Sequence, residues 1–287
     1  MAEGAGLEVR PITAEDVDQV ARFLAAELNG RLSAETWAAA VVPPWPVDAP
    51  NHGFLLADSG RVVGVQLAIY SERMILGRAE RFCNLAAWCV LDDYRLHGVR
   101  LLRSALAQPG YTFTDLSPSG SVIEVNQRLK FTEFDTTSVL LPNLPRRTDR
   151  TIAITADPVA LAEALSQADL RLHLDHRGCL AARQVMISHG DDTCLVVYRR
   201  DRRKRISAFA SILYASRPEL LRRALPALRA YLLRKDRLIA TLAEVRLVGR
   251  PAGAVDLPGT RRKMFRSDDL TADQVDYLYS ELTCVPW

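Results

Sequence analysis

Short apolar strands alternate with amphipathic helices over the first half of the chain. Apolar and polar residues alternate over segment 7–10 as in a strand, and Thr13 followed by Asp16 is typical of a helix start. The helix is predicted from apolar residues at helical spacing: Val17, Val20, Phe23, Leu24 and Leu28. A second, shorter helix is predicted to begin at Ser33 and to end before the next pair of prolines.

Apolar runs bounded by turn residues predict a sheet in the rest of the first half. Asp58-Ser59-Gly60 is predicted to be a hairpin turn, because glycine adopts turn conformations at little steric cost. Strands are predicted at residues 54–57, 62–70, 82–91, 111–116 and 136–141. Helices are predicted at residues 94–108 and 122–129.

The second half repeats this order. Strands are predicted at residues 193–198, 206–214 and 238–248, and helices at 157–166, 216–234 and 271–282. Both halves therefore contain the order strand–strand–helix–strand. This order predicts an α+β fold with two related domains, each with a mixed, mostly antiparallel sheet flanked by helices.

The length and the charge distribution also support two domains. The chain has 287 residues, of which 48% are hydrophobic and 25% charged, values typical of a globular protein. Residues 1–150 include 15 basic and 18 acidic side chains, whereas residues 151–287 include 22 and 16. With a proline-rich linker at 142–147, this asymmetry predicts domains at 1–145 and 146–287. The net charge of +3 is too small to argue for a nucleic-acid partner.

Targeting and redox features predict a cytoplasmic protein. No apolar run approaches the roughly 20 residues that span a bilayer, so no membrane partner is expected. The first residues lack the basic and apolar pattern of a signal peptide. The five cysteines are odd in number and scattered, which favours reduced thiols over a disulfide framework.

The segment from Val90 to Leu102 contains the most specific chemical signal. An apolar strand ends at Val90, a short turn with the single glycine Gly98 follows, and a helix is predicted next. The backbone N–H groups of such a turn, aided by the positive end of the helix dipole, can hold a phosphate or pyrophosphate. A single glycine is a weak signal alone, and its order and spacing strengthen it.

This segment resembles the signature of the GCN5-related N-acetyltransferase (GNAT) superfamily. In that family a strand ends in Val, a Tyr-Arg pair follows, and Arg/Gln-x-x-Gly-x-Gly/Ala opens a helix. Val90 matches the valine and Tyr94-Arg95 the pair. The three signature positions are occupied by Arg95, Gly98 and Arg100.

The resemblance covers about residues 7–141. It implies a strand that splays to hydrogen-bond pantetheine and a loop that binds the pyrophosphate of acetyl-CoA or another acyl-CoA. The acyl-CoA-binding residues that it implies are Val90, Arg95, His97, Gly98, Val99 and Arg100.

Three positions depart from the family pattern. Arg100 stands where the family has glycine or alanine, so its side chain could crowd the pyrophosphate or bind a phosphate directly. Asn126 and Lys130 stand where the closing family motif has tyrosine and glycine. The family's tyrosine protonates the leaving thiolate, whereas asparagine donates a hydrogen bond but supplies no proton.

Asp115 and Asn126 are the candidate catalytic residues. Asp115 ends the strand after the signature helix, where the sheet would open onto a substrate cleft, and acyl transfer to an amine needs a base. The alternative role for Asp115 is a cap or turn acid before Ser117-Pro118. Asp92 and Asp93 are interpreted as solvated acids at the helix start.

Three further segments have structural interpretations. His173–Cys179 contains possible ligand residues, but no second cluster accompanies it, so no metal is predicted. The basic run 199–205 could bind phosphates or an anionic polymer, but its place between two strands favours a solvated hairpin tip. The turn at 214–219 lacks glycine, so the second half is predicted to be a degenerate GNAT-like domain without a phosphate nest.

Together these residues predict a CoA-dependent acyltransferase that acts on a small amine or sugar-like acceptor. The alternative, favoured by Asn126, is a non-catalytic GNAT-like protein that binds an acyl-CoA or a protein partner. A third interpretation is an anion-binding module that uses the run 199–205. The apolar C-terminus with Trp287 is expected to dock on the protein itself or in a homodimer.

Overall fold

The computed structural model describes residues 6–145, 149–203 and 206–287. Over these residues the strands form two seven-stranded sheets. In chain order the strands are β1 (Glu8–Pro11), β2 (Gly53–Asp58), β3 (Arg61–Ile75), β4 (Arg78–Val90), β5 (Thr112–Asp115), β6 (Thr132–Glu133), β7 (Ser138–Pro142), β8 (Ile152–Thr155), β9 (Ala182–His189), β10 (Asp192–Arg203), β11 (Ile206–Ala215), β12 (Ala240–Glu244), β13 (Val255–Leu257) and β14 (Met264–Arg266).

Helices flank both sheets. The α-helices are α1 (Val17–Glu27), α2 (Ala34–Val41), α3 (Gly98–Leu106), α4 (Gly120–Arg128), α5 (Pro158–Ala164), α6 (Gln167–His176), α7 (Pro218–Asp236), α8 (Val245–Val248) and α9 (Glu281–Cys284). Short 3₁₀ helices lie at Ala14–Asp16, Asp92–His97 and Ala272–Gln274. Among the residues described, no helix combines the length and apolar character needed to cross a membrane.

The contacts divide the chain into two compact units. Unit 1 comprises the described residues up to Phe134 together with Arg262–Val275 and Tyr279–Pro286. Unit 2 comprises Asp135–Arg261, Asp276–Leu278 and Trp287. The C-terminal residues are thus shared between the two units.

The sheet of unit 1 has the strand order β1-β2-β3-β4-β5-β14-β6. All neighbours are antiparallel except β4 and β5, which run parallel. On one face, Leu101 and Leu102 of α3 are buried in a cluster with Leu56 and Leu85 of the sheet. Burying a leucine side chain contributes about 1.5–3 kcal/mol. This packing fixes α3 against the strands that precede it.

The predicted helix start at Thr13 is confirmed. The Thr13 and Asp16 side chains form a reciprocal capping box at Ala14–Asp16, and α1 continues from it. The Arg10 guanidinium also donates to both Asp16 carboxylate oxygens, at 2.6 and 2.7 Å. The hydrogen bond from Arg10 holds the pKa of Asp16 well below its usual range. Because Arg10 lies in β1, the same carboxylate ties the first helix to the sheet.

The sheet of unit 2 has the strand order β8-β9-β10-β11-β12-β7-β13. Again one pair, β11 and β12, is parallel and the others are antiparallel. The long helix α7 covers this sheet with buried leucines at helical spacing: Leu221, Leu225, Leu228 and Leu232.

The two sheets share one strand order, with an exchange of strands. In each, the first five strands follow the chain and the fourth and fifth are parallel. The sixth position is exchanged: β7 lies next to β12 in unit 2, and β14 lies next to β5 in unit 1. The α+β class with mostly antiparallel sheets flanked by helices is therefore confirmed.

The predicted domain boundary between residues 145 and 146 differs from the observed division. The strand expected to close the first domain, β7, instead pairs with β12 along its whole length, from Ser138 to Pro142. The chain from Arg262 to Val275 then returns to unit 1. Composition and charge vary along the chain and carry no information about which sheet a strand joins, so they could not predict the exchange.

Other predicted elements differ locally. The helix predicted at 271–282 is a 3₁₀ turn at Ala272–Gln274 followed, after an irregular segment, by α9. The strand predicted at 238–248 ends at Glu244, and α8 continues from it.

Candidate active site

The parallel strands β4 and β5 separate within the sheet of unit 1. They pair only over Phe82–Asn84 and Thr112–Thr114. Beyond these pairs β5 ends at Asp115, whereas β4 continues along β3 to Val90. We call the opening between β4 and β5 that follows Asn84 the fork. The GNAT resemblance implies a strand that splays at this place.

A bulge in β4 accompanies the fork. Two residues of β4 lie between Ala86 and Cys89, whereas only Gln66 lies between their partners on β3. Ala87 accommodates the extra residue with a φ of +49°, and Gln66 Nε2 donates to the Ala86 carbonyl at 2.9 Å. Bulges bend a strand and re-aim its side chains. The bulge is thus a physical reason for β4 to leave β5.

Asp115 lies at the fork and is buried, with 9% of its surface exposed. Asn126 of α4 donates from Nδ2 to Asp115 Oδ2 at 2.8 Å, and the Ser117 N–H donates to Oδ1 at 3.4 Å. Burial raises the pKa of Asp115 to about 6. The two residues predicted to be catalytic from separate patterns are therefore hydrogen-bonded to each other.

A second carboxyl reaches the fork from the C-terminal end of the sequence. Glu281, the first residue of α9, is completely buried. Ser117 Oγ donates to Glu281 Oε1 at 2.8 Å, and the Glu281 backbone N–H donates to Asn84 Oδ1 at 2.9 Å. Burial raises the pKa of Glu281 to about 7, and the charge of Asp115 adds to the rise.

We call these five residues the carboxyl cluster: Asn84, Asp115, Ser117, Asn126 and Glu281. Over the described residues, neither carboxyl forms an ion pair with a lysine or arginine. Glu281 Oε2 and Asn126 Oδ1 are buried without a hydrogen-bond partner in the same part of the chain. A buried, uncompensated carboxyl with a raised pKa can take up or release a proton near neutral pH.

The predicted acyl-CoA turn has a closed conformation. Residues Asp92–His97 form a 3₁₀ helix, and the Gly98 N–H donates to the Arg95 carbonyl. Gly98 has ordinary helical angles, with φ −55° and ψ −38°. Arg95 is exposed and forms an ion pair with Asp92 at 2.8 Å. An open nest would leave the Gly98 amide free, so the observed turn differs from the arrangement that the resemblance implies.

The remaining predicted acyl-CoA residues cluster around the first turn of α3. A Cβ built on Gly98 would lie 3.4 Å from Val90 Cγ2 and 3.5 Å from the Trp88 indole nitrogen. His97 and Val99 are half-buried, and Arg100 is exposed. Val90 and Gly98 are therefore packed together, while the cationic side chains lie at the surface.

Glu281 is the candidate residue that sequence reasoning missed. It lay inside the predicted helix 271–282, where one glutamate is an ordinary surface residue. Its partner Ser117 is 164 positions away in the sequence. The signal available was weak: the unusually apolar segment that follows it, which suggested a docked C-terminus.

The other sequence clusters are structural. His173 and His176 lie in α6, where their Nδ1 atoms contact Gln184 Oε1 and the Leu172 carbonyl, at 2.8 and 2.9 Å. No group of three or more potential metal ligands occurs within the described ranges.

The basic run is less solvated than predicted. Arg199 is buried, and Arg200 donates to the Ser207 and Asp236 carbonyls, each at 2.8 Å. Lys204 and Arg205 of the run lie outside the described residues, as do Arg146 and Arg147 of the predicted linker.

A small cavity of about 130 Å³ also lies in unit 1. Apolar side chains line most of it, and the polar groups are Asn51, His52 and Tyr70. Asn51 accepts from the Tyr70 hydroxyl at 2.9 Å, and Gln108 donates to that hydroxyl at 2.6 Å. Burial lowers the pKa of His52. These groups are already held together, so the cavity is largely preformed.

Comparison with known proteins supports the fold. No family model matches the sequence, and no curated protein matches it. Solved structures do match: a GCN5-related N-acetyltransferase from Anabaena variabilis has a TM-score of 0.60 at 11% identity, covering 91% of this chain and 72% of its own. One from Kribbella flavida has a TM-score of 0.54 at 16% identity, covering 91% of this chain and 70% of its own.

A solved structure with a different printed activity also matches. The N-myristoyltransferase of Saccharomyces cerevisiae, solved with bound myristoyl-CoA, has a TM-score of 0.51 at 9% identity. The match covers 93% of this chain and 81% of the yeast chain. In all three comparisons more than nine tenths of this chain is aligned, so both units take part. The chain therefore has the fold of the GCN5-related N-acetyltransferases, as its sequence resemblance predicts.

Proposed function

We propose that the chain is a CoA-dependent acyltransferase whose reaction takes place at the fork of unit 1. The observation that carries this proposal is the position of Asp115. It is a buried carboxyl with a raised pKa, located where β4 and β5 separate, in a chain with the GNAT fold. The acceptor is proposed to be a small amine or a sugar-like molecule, and the donor acetyl-CoA or another acyl-CoA.

The residues near α3 fit an acyl-CoA in part. The Trp88 indole N–H is buried without an acceptor within the described residues, and Arg100 is exposed at the first turn of α3 without an ion pair there. Both are donors that a pyrophosphate could use. The Gly98 amide is occupied by Arg95, so binding would require one 3₁₀ hydrogen bond to open. The exposed Arg95–Asp92 pair adds little resistance, because such pairs contribute about 0–1 kcal/mol.

The proposed chemistry moves one proton from nitrogen to sulfur. The amine nitrogen forms a bond to the thioester carbonyl carbon, the carbon–sulfur bond breaks, and its electron pair leaves on sulfur. Asp115 as carboxylate takes the proton from nitrogen and returns it to the thiolate, which yields an amide and free CoA. A carboxyl with a pKa of about 6 is suited to both transfers near neutral pH. Asn126 holds Asp115 in place by a hydrogen bond to Oδ2.

The alternative is a non-catalytic protein that binds an acyl-CoA or a protein partner. Two observations favour it: the predicted turn is closed, and the Asn126 amide is occupied by Asp115 instead of taking the place of the family's tyrosine. This alternative predicts CoA binding without release of free thiol.

The test combines binding with turnover. Calorimetric titration with acetyl-CoA and CoA is compared between the wild-type chain and Gly98→Trp, whose indole would collide with Val90 and Trp88. A panel of acyl-CoAs and amines is then assayed for free thiol. Amine-dependent thiol release supports the enzyme. Binding that Gly98→Trp abolishes, without turnover on any acceptor, supports the alternative. No binding of acetyl-CoA or CoA by the wild-type chain at millimolar concentration contradicts both the enzyme and a non-catalytic acyl-CoA-binding protein.

A further inference from the structure

The carboxyl cluster contains two buried carboxyls, and no ion pair with either of them occurs among the described residues. The neighbouring elements contribute Asn84 from β4 and Asn126 from α4. Arg73 of β3 lies over the rings of Phe82 and Tyr279, at 5.3 and 5.6 Å from their centroids. Two carboxylates that share a buried site without a cation cannot both ionise without a large desolvation penalty.

The hydrogen bonds of the cluster point to a missing donor. Ser117 donates from both N–H and Oγ, one to each carboxyl, and Asn126 donates to Asp115. Within the part of the chain that the structure describes, Glu281 Oε2 and Asn126 Oδ1 remain without a donor. A buried acceptor without a donor costs about 1–3 kcal/mol. One proton on a carboxyl oxygen would supply a donor and would also remove one of the two negative charges.

We infer that Asp115 and Glu281 share a single proton, and that Glu281, brought to the fork by the C-terminal segment, is a positioning residue that sets the proton affinity of Asp115 in acyl transfer. The shared proton stands on the geometry of the cluster, and its catalytic role rests on the proposed function. Asp115 accepts the proton from the amine nitrogen, the pair holds it, and Asp115 returns it to the thiolate, so the pair begins and ends each turnover with one proton.

The C-terminal segment is then part of the active site. The Glu281 N–H bonds to Asn84 at the last residue pair before the strands separate. The Asn84 side chain in turn donates to Thr114 Oγ1 of β5 at 3.0 Å. A single asparagine therefore links β4, β5 and α9 at the apex of the fork. This arrangement fixes Glu281 relative to both strands.

The first test measures protonation without any substrate. In the full chain, ¹³C labelling of Asp and Glu carboxyl groups is followed by NMR from about pH 4 to about pH 9. Asp115→Asn and Glu281→Gln are compared with Asp169→Asn, which removes a buried carboxyl of unit 2. We expect each amide substitution in the cluster to lower the titration midpoint of the remaining carboxyl by about one unit or more, because the like charge is removed. Asp169→Asn should leave both midpoints unchanged.

Two results would overturn the shared proton. One is an unchanged midpoint for each carboxyl when the other is replaced. The other is full ionisation of both below about pH 5, within the ordinary range of carboxyls. Thermal unfolding of each variant, monitored by circular dichroism, identifies a variant that fails to fold, and Glu281→Asp provides a second substitution that keeps the charge.

The second test concerns catalysis. In Glu281→Gln we expect the acid limb of the kcat/KM pH profile to move to lower pH, with KM for the acyl-CoA unchanged. An unchanged profile would contradict the positioning role. If the two carboxyls titrate together but no acceptor is acylated, the proposed function is contradicted and the shared proton is still supported. If an acceptor is acylated but the two carboxyls titrate independently, the shared proton is contradicted and the proposed function is still supported.

Discussion

The two units contain similar strands, but their buried carboxyls differ in whether a cation lies beside them. In unit 1, Asp115 and Glu281 have no cation partner within the described residues. In unit 2, Glu244 ends β12, the strand that corresponds to β5, and is also buried. There the Arg246 guanidinium donates to Glu244 at 2.7 Å and the Tyr277 hydroxyl donates at 2.7 Å.

Because of this difference in cation partners, we interpret Glu244 as a structural carboxylate, and Asp115 and Glu281 as carboxyls that take up a proton. The Arg246 guanidinium also lies over the Tyr277 ring, 4.6 Å from its centroid, so Glu244 is held by two mutually packed partners. Removing one partner of such a buried pair is strongly destabilising, because it leaves an uncompensated charge. The pair in unit 1 lacks that compensation and gains a proton instead. The two units therefore carry the two kinds of carboxyl at the ends of corresponding strands, Asp115 at the end of β5 and Glu244 at the end of β12.

The largest effect is expected on turnover. Asp115→Asn removes the proton acceptor, so acyl transfer should fall by about 100-fold or more. Glu244→Gln is the matched change in unit 2. It should leave the rate per folded molecule within about threefold of the wild type, which is a much smaller change than the loss of a general base causes. Free-thiol release measures both. Equal losses in the two variants would mean that the two carboxyls do not differ in function.

The next effect concerns stability against pH. The folded chain holds a proton on Glu281 up to about pH 7, whereas the unfolded chain releases it near about pH 4.3. Between these pH values the native state binds more protons than the unfolded state. The free energy of unfolding of the wild type therefore falls as the pH rises, and it stays low above about pH 7. Glu281→Gln does not ionise, so its stability relative to wild type should rise by on the order of 3 kcal/mol between about pH 4 and about pH 8.

Urea unfolding across this pH range measures that change. Glu219→Gln is a suitable control, because Glu219 is exposed on α7 and its loss should leave the pH dependence as in the wild type. A constant stability difference between Glu281→Gln and wild type at all pH values would contradict the raised pKa.

A third change turns the unit 2 site into one like that of unit 1. Arg246→Met removes the guanidinium that donates to buried Glu244, and this should destabilise the chain by about 2 kcal/mol, since Arg246 is itself partly exposed. Adding Glu244→Gln in the same chain should recover most of the loss, because the uncompensated charge is gone. Chemical unfolding near neutral pH checks both variants. No loss in Arg246→Met would mean that the guanidinium does not compensate Glu244.

The smallest effect is expected at the helix that follows each fourth strand. The first residue of α3 is Gly98, whereas that of α7 is Pro218. A Cβ at Gly98 would make ordinary contacts at 3.4–3.5 Å with Val90 and Trp88. Gly98→Ala should therefore change stability by less than about 1 kcal/mol, in the stabilising direction, because alanine favours helix. If acyl-CoA binds at this turn, its affinity measured by calorimetry should fall, and an unchanged affinity would place the ligand elsewhere.

Local sequence patterns predicted much of unit 1. The capping residues at Thr13, the long apolar strand that ends at Val90 and the position of Asp115 at the end of its strand all depend on neighbours close in sequence. Short or polar strands such as β9 were missed, because Ala182–His189 has no clear alternation. The Asp115–Glu281 cluster could not be predicted, since Ser117 and Glu281 lie 164 positions apart in the sequence and a lone glutamate carries no local signal.

Because β7 and β14 are exchanged between the two sheets, we expect that fragments split near residue 145 cannot fold separately. A fragment that ends near residue 145 would carry β7, which pairs in the other sheet, and would lack β14, leaving β5 as a bare edge. Its complement would have the same defect at β12. Unpaired edges of this kind promote aggregation. Each half expressed alone should therefore be insoluble, and the two halves produced together should complement each other into one folded protein.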